Sequence, residues 1–336
     1  MTLVPTTTEL QRFERLVERA RSYAQESLSE NTRATYAKGW RAWAEFCEEH
    51  GLPSAPITPE AVSLFLTALA TKGLNVRTIN TYFAAICFTY GLENPPNPTT
   101  GRGRGNLLEF PIVKTTIAGI RRTHGTPLRQ AAPISIDQLR GICDTLPTRA
   151  CDRLRALRDK ALLLVGYASA SRRSELAALN VGDVRVVEEG LWLTIRRSKT
   201  DQEGKGMLKA IPYGKDPEYC PVRALLAWME IISPVTRPEW PLFCRIDQRG
   251  TAVRPAEPMA SGNISTKVKR AAERAGIDPR NVSAHSLRAG LLTEAAKAGV
   301  PLHKLMAQSG HKTPTVLLSY IRDAEAFRDN AAGKIL

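Results

Sequence analysis

Arg172, Lys199, His285, Arg288, His311 and Tyr320 are six residues of this 336-residue chain whose types converge on one reaction, the breaking of a phosphodiester bond by a tyrosine. Two guanidinium groups can hold the non-bridging oxygens of a phosphate while its charge grows, and a phenol can attack the phosphorus. An imidazole can take the phenol's proton, and an ammonium can give one to the departing oxygen. The help is needed. A free tyrosine ionises near pH ~10, so its phenolate is only about 0.1% present at neutral pH, which costs about 4 kcal/mol before any bond changes.

The residues sit in segments that can present them. HSLRAG puts His285 and Arg288 three apart near a helix start, on one face, where a phosphate would also meet the positive end of the helix. Alone, such a pair is more often a plain polar surface. SRRSEL puts Arg172 at the foot of a helix with Glu175 three residues on, a spacing at which a carboxylate can fix a guanidinium without neutralising what it presents outward. A surface ion pair of little value is the ordinary alternative, and Arg173 is the neighbouring candidate. Lys199 ends the strand-like LWLTIRRSK, where the chain turns and an ammonium can reach and withdraw, although most such lysines are only solvated charges. In SGHKTPTVLLSYIR, Gly310 ends one helix, His311 lies in the connection, Pro314 opens the next helix, and Tyr320 falls about two turns inside it. Among Leu317, Leu318 and Ile321 that tyrosine would ordinarily be core.

The surrounding elements read as two helical units. A helical pattern runs from Thr8 to His50, with Asn31 offering a cap for the segment of Trp40, Trp43 and Phe46. Further helices are expected from Pro59 to Gly73, from Val76 to Gly91, and around Ile117 to Arg122 after a loop with Pro95, Pro96, Pro98 and GRGRG. The aperiodic stretch 126–134 reads as a linker. Helices follow from Ser135 and from about Arg153 to Tyr167, and then three β-prone runs, Val184–Val187, Leu191–Arg197 and Met207–Tyr213, predict a small antiparallel sheet. Helices resume at Cys220–Ile231, Ser261–Ala275, Ser283–Gly299, Pro301–Ser309 and Pro314 to about Asn330.

Composition bounds the rest. With 43% hydrophobic and 24% charged residues the chain has the make-up of a globular protein large enough for two cores. Its +14 net charge is uneven: residues 1–100 hold 9 Lys and Arg against 10 Asp and Glu, so about +15 lies beyond, in the half that carries the six residues. That favours a polyanionic partner such as nucleic acid. No apolar run nears the ~20 residues of a membrane span, and MTLVPTTTEL lacks a secretory pattern, so an intracellular location is expected. Six cysteines without a CxxC pair suit reduced thiols. No clustered carboxylates of the two-metal kind and no GxxxxGK[ST] loop are present in the sequence.

Taken together, Arg172 with Glu175 and Leu176, Lys199 within SKTD, His285 with Arg288, Gly310 with His311, and Tyr320 nine residues later resemble the tyrosine recombinase (phage integrase) family in type, order and spacing. The likeness covers nearly the whole chain, strongest from Ala161 to Arg322, and its layout is most like the Cre-like branch, with His311 where that branch's type member has a tryptophan. The resemblance implies a mainly α fold with a small antiparallel β-sheet in the catalytic domain. It also implies a two-domain, C-shaped DNA clamp: a helical core-binding domain over 1–125, a linker, and a catalytic domain over 135–336 with a C-terminal helix.

It implies a site-specific recombinase that cuts and rejoins strands through a 3′-phosphotyrosine, without ATP, metal or cofactor. Tyr320 would be the nucleophile, His285 the general base, Arg172 and Arg288 the phosphate clamp, His311 a donor to the phosphate, Lys199 the acid, and Glu175 a support. The implied partner is double-stranded DNA with inverted-repeat sites, bound as a dimer per site and a homotetramer on two sites, in the cytoplasm or at a bacterial nucleoid. Ala324, Phe327 and Ala331 would let the tail dock on a neighbour or pack on its own domain. A type IB topoisomerase, a telomere resolvase and a silent DNA-binding regulator are the alternatives.

Overall fold

The apolar runs from Glu30 to His124 include four α-helices in the computed structural model, which describes residues 26–94, 105–126, 131–196 and 206–325 and six isolated positions before Glu26. These are α1 (Glu30–Glu49), α2 (Pro59–Thr71), α3 (Val76–Glu93) and α4 (Pro111–His124). The cap of α1 is Ser29, whose hydroxyl accepts from the Thr32 N–H, so Asn31 lies in the first turn rather than before it. Gly91 does not end α3, which runs on to Glu93. A helical glycine costs only about 1 kcal/mol against alanine, and burial of Tyr90 just before it holds the last turn in place. α4 starts six residues before Ile117, at Pro111, because proline is well placed at a first helical position.

The chain divides into two compact units, Met1–Leu128 and Arg129–Leu336. In the first, α1 packs on α3 and α2 on α4 around Trp43, Phe65, Leu66, Ile79 and Ile86. Trp43 is wholly buried, meets Phe65 edge-on at 5.3 Å, and donates its indole N–H to the Ser54 carbonyl at 3.1 Å.

In the second unit, α5 (Ile136–Asp144) opens on a reciprocal cap between Ser135 and Gln138. Ala132 and Ile134 are already hydrogen-bonded into this unit, through the Asn281 and Ser286 carbonyls. α6 (Arg153–Ala168) is buried on every side from Ala161 to Tyr167, as a helix at the centre of a core must be. α7 (Arg173–Ala177) leads to an antiparallel sheet in the order β1 (Val184–Val187), β2 (Gly190–Ile195), β3 (Met207–Pro212), in which Leu193 faces Lys209 and Leu191 faces Ile211.

Next come α8 (Pro221–Ile232), a two-stranded ribbon of β4 (Cys244–Ile246) and β5 (Val253–Pro258), then α9 (Ser261–Arg274), α10 (Ala284–Lys297), α11 (Leu302–Ser309) and α12 (Thr315–Glu325). The ribbon was not expected: Pro255 and Pro258 argue against a strand, but as the edge of a pair it needs few of its own N–H groups. α6 packs against α8 and α10, and α10 carries α12 over a small cluster of Leu292, Ala296, Leu305 and Leu317.

Residues 101–104 of GRGRG, part of the 126–134 stretch, the segment with Lys199, and Phe327 and Ala331 lie outside the described residues. No helix among the described residues is long and apolar enough to cross a membrane.

Candidate active site

Arg172 occupies the cap position of α7 in extended backbone. A guanidinium cannot accept a hydrogen bond, so only half of a capping box forms there: Glu175 reaches back and accepts the Arg172 N–H at 3.0 Å through Oε2. Its other oxygen, Oε1, takes the Arg172 Nη1 at 2.6 Å. The pair is not a surface ion pair, since the Glu175 side chain is 1% exposed. Arg173, the alternative read from the sequence, has no part in this arrangement. Burial alone would raise the Glu175 carboxyl, but Lys209, the Arg172 N–H and the Arg172 guanidinium together hold it below the ordinary value.

Arg288 comes from the first turns of α10 and is 1% exposed. Its Nη1 donates to the Ala170 carbonyl at 2.6 Å, and Nη2 lies 3.1 Å from His311 Nε2 and 3.2 Å from Nδ1. Burial, then the nearby Arg172, lowers the guanidinium to about 10, so it stays charged at neutral pH. Two cations close together beside one carboxylate leave an excess of positive charge, which is a site for an anion.

His311 follows Gly310, whose left-handed backbone (φ 69°) ends α11 and turns the chain. The neighbouring Ser309 hydroxyl gives its single proton to the Leu305 carbonyl at 2.6 Å, so at 2.7 Å from His311 Nδ1 it must accept. That fixes a neutral ring with the proton on Nδ1 and leaves Nε2 to accept from Arg288. Burial, Arg288 and Arg172 push the imidazole down to about 4, in keeping with this tautomer.

His285 and Tyr320 meet on the open side. Nε2 of His285 is 3.2 Å from the Tyr320 hydroxyl, within one chain. The tyrosine is half-buried, its ring packed on the Leu292, Ala296, Leu305 and Leu317 cluster, so the two helices α10 and α12 set that distance. The His285 imidazole, open to solvent on one side, is held below the usual value by loss of water on the other and then by Arg288 and Arg172. It is therefore a neutral base at pH 7, in reach of the proton it would remove. Five of the six residues singled out in the sequence thus assemble; Lys199 lies outside the described residues.

The pattern that defines the phage integrase family matches residues 134–326, and that of the phage integrase N-terminal SAM-like domain matches residues 20–87. The chain belongs to the phage integrase family. It is a tyrosine recombinase, an enzyme that cleaves and rejoins DNA strands. An integrase/recombinase XerD homolog of Selenomonas ruminantium is 31% identical over 96% of this chain and 90% of its own length. The Cre recombinase of Escherichia phage P1 is 24% identical over 90% of this chain and 86% of its own. The fold is shared with XerH site-specific recombinase in a post-cleavage complex with palindromic difH (TM-score 0.63, 17% identity, 90% of this chain and 78% of that one). It is shared too with a lambda integrase dimer on a COC′ core site (TM-score 0.57, 17% identity, 97% of each).

One buried ammonium of this recombinase was missed in the sequence. Lys209 on β3 is 1% exposed and points at Glu175. The signal was there, because Lys209 is in phase with the inward-facing Ile211 of MLKAIP.

The lowered His285 makes a pH prediction. A base depressed below its ordinary value stays neutral further into acid, so the acid limb of the second-order rate of adduct formation at limiting DNA should be centred below the ordinary imidazole value of about 6.5. An acid limb centred above 6.5 contradicts the assignment of His285 as base.

Proposed function

We propose that this recombinase exchanges strands between two copies of an inverted-repeat DNA site through a 3′-phosphotyrosine at Tyr320. The observation that carries the reading is the 3.2 Å approach of His285 Nε2 to the Tyr320 hydroxyl, in the field of the Arg288 and Arg172 guanidiniums. His285 takes the phenolic proton as the oxygen attacks. Arg172 and Arg288 hold the non-bridging oxygens, whose charge increases towards the transition state, and Glu175 fixes Arg172 for that task. A phosphate between the guanidiniums reverses the electrostatic pressure on His311 and favours a second proton on it, which makes it the donor to the phosphate. Lys199, which follows β2 and precedes β3 in the sequence, protonates the departing 5′ oxygen. The bond energy is kept in the phosphotyrosyl link, so a 5′ hydroxyl from another strand reverses the step without ATP.

Residues 1–125 form the core-binding domain and 135–336 the catalytic domain, which close on duplex DNA as a clamp in the cytoplasm. A dimer occupies each site, and four protomers join two sites. The solved lambda integrase tetramer on a Holliday junction and the XerH complex on a palindromic substrate support this assembly by analogy. A plasmid carrying two copies of the site should yield deletion or inversion products of fixed junction. Relaxation of supercoils without such products would mean that each cut strand returns to its own end, as a topoisomerase does.

A further inference from the structure

The C-terminal end of α6 gathers side chains from three other elements. Three successive carbonyls there have no partner within the helix, as at any helix end, and each accepts a side-chain donor. Gln308 of α11 donates to the Ala168 carbonyl at 2.6 Å, Lys209 of β3 to the Ser169 carbonyl at 2.9 Å, and Arg288 of α10 to the Ala170 carbonyl at 2.6 Å. Ala170, fully buried with a left-handed φ of 47°, turns the chain so that the third carbonyl can face Arg288. Two of these donors are cations at the negative end of the helix dipole, the favourable sign. Gln308 also donates to the Ala210 carbonyl at 3.2 Å, so α11, β3 and the end of α6 are tied at one point.

Lys209 is the least expected member. An ammonium has three protons, and Lys209 has three acceptors: the Ser169 carbonyl, the Ser171 hydroxyl at 3.1 Å, and Glu175 Oε2 at 3.5 Å. Its side chain is 0% exposed, behind Glu175 as seen from the arginines, so it cannot touch a DNA phosphate or serve as the acid. What it touches is the carboxylate that holds Arg172 and the turn whose next carbonyl holds Arg288. The charged and titratable groups facing it are Glu175 from α7, Arg172 at its cap, Arg288 from α10, and the neutral His311 beyond α11.

We propose that Lys209 is a positioning residue for strand cleavage: its buried ammonium locks the Glu175 carboxylate and the end of α6 in one arrangement, and thereby sets the spacing of the Arg172 and Arg288 guanidiniums. The inference rests on the strand-transfer reading above. Burial also lowers the ammonium to about 8, with Glu175 opposing that shift, so at neutral pH it is mostly charged and holds its three acceptors.

The test uses the full chain and a pool of nicked duplexes tiling the DNA that flanks the encoding gene, with single-turnover adduct formation, DNA affinity and melting temperature measured side by side. Lys209→Met should bind the selected duplex within about threefold of the parent and cleave it roughly 30- to 100-fold more slowly, the scale of a misplaced catalytic group. Because Lys209 acts through Glu175, Lys209→Met combined with Glu175→Gln should be no slower than the worse single variant. Should Lys209→Met fail to fold, Ser171→Ala, which removes one acceptor, carries the test with an expected loss of about three- to tenfold. Cleavage within threefold of the parent, losses that multiply in the double variant, or a slowing matched by lost affinity and melting temperature overturns the proposal. If the parent itself forms no adduct with any duplex, the strand-transfer reading fails instead.

Discussion

Tyr320→Phe should bind site DNA like the parent and form no covalent adduct. The phenylalanine ring keeps its packing against Leu292, Ala296, Leu305 and Leu317, so α12 stays in place, and the hydrogen bond to His285 that is lost is worth about 0.5–1.5 kcal/mol. What disappears is the attacking oxygen. His285 Nε2 is near the vacated position but remains a base with no phenol to deprotonate. Loss of a nucleophile that acts as one unit with its base costs upwards of about 10,000-fold, which puts cleavage below detection on a denaturing gel while a mobility shift is unchanged. Residual adduct at more than a hundredth of the parental rate would mean that another group attacks.

Arg288→Lys should lose about 100- to 1,000-fold in the rate of cleavage, the cost of removing a donor aimed at developing charge. The charge is kept, so the salt dependence of DNA binding should hardly change. Geometry is what fails. Arg288 donates through Nη1 to the Ala170 carbonyl while Nη2 lies against His311, and a single ammonium cannot hold that carbonyl and face a phosphate as a planar fork does. Single-turnover cleavage within tenfold of the parent would show that the fork is not needed, and that Arg172 suffices as the phosphate clamp.

The parts of the site that follow one chain segment were legible in the sequence. His285 and Arg288 are joined by helical periodicity, Glu175 reaches Arg172 by a three-residue spacing, and Gly310 announces the turn that carries His311. The helices too were read from apolar periodicity and prolines, with their ends misplaced by a few residues where tertiary burial, as at Tyr90, outweighed a local stop signal. What stayed hidden depends on pairing between distant segments. Lys209 becomes an active-site support only because β3 pairs with β2 and turns its third residue inward under Glu175. The three carbonyls at the end of α6 have no sequence signature, since the donors lie 40 or more positions away along the chain. The β4–β5 ribbon was concealed by its prolines.

One phenol, from the same chain as its base and its arginines, should attack the scissile phosphorus. The most direct measurement is to trap the adduct on a nicked duplex, digest protein and DNA, and identify the modified peptide and the freed strand end by mass spectrometry. A single modified residue is expected, Tyr320, joined to a 3′ phosphate, with a 5′ hydroxyl on the released strand. A modification at any other residue, or a tyrosine joined to a 5′ phosphate, would contradict it.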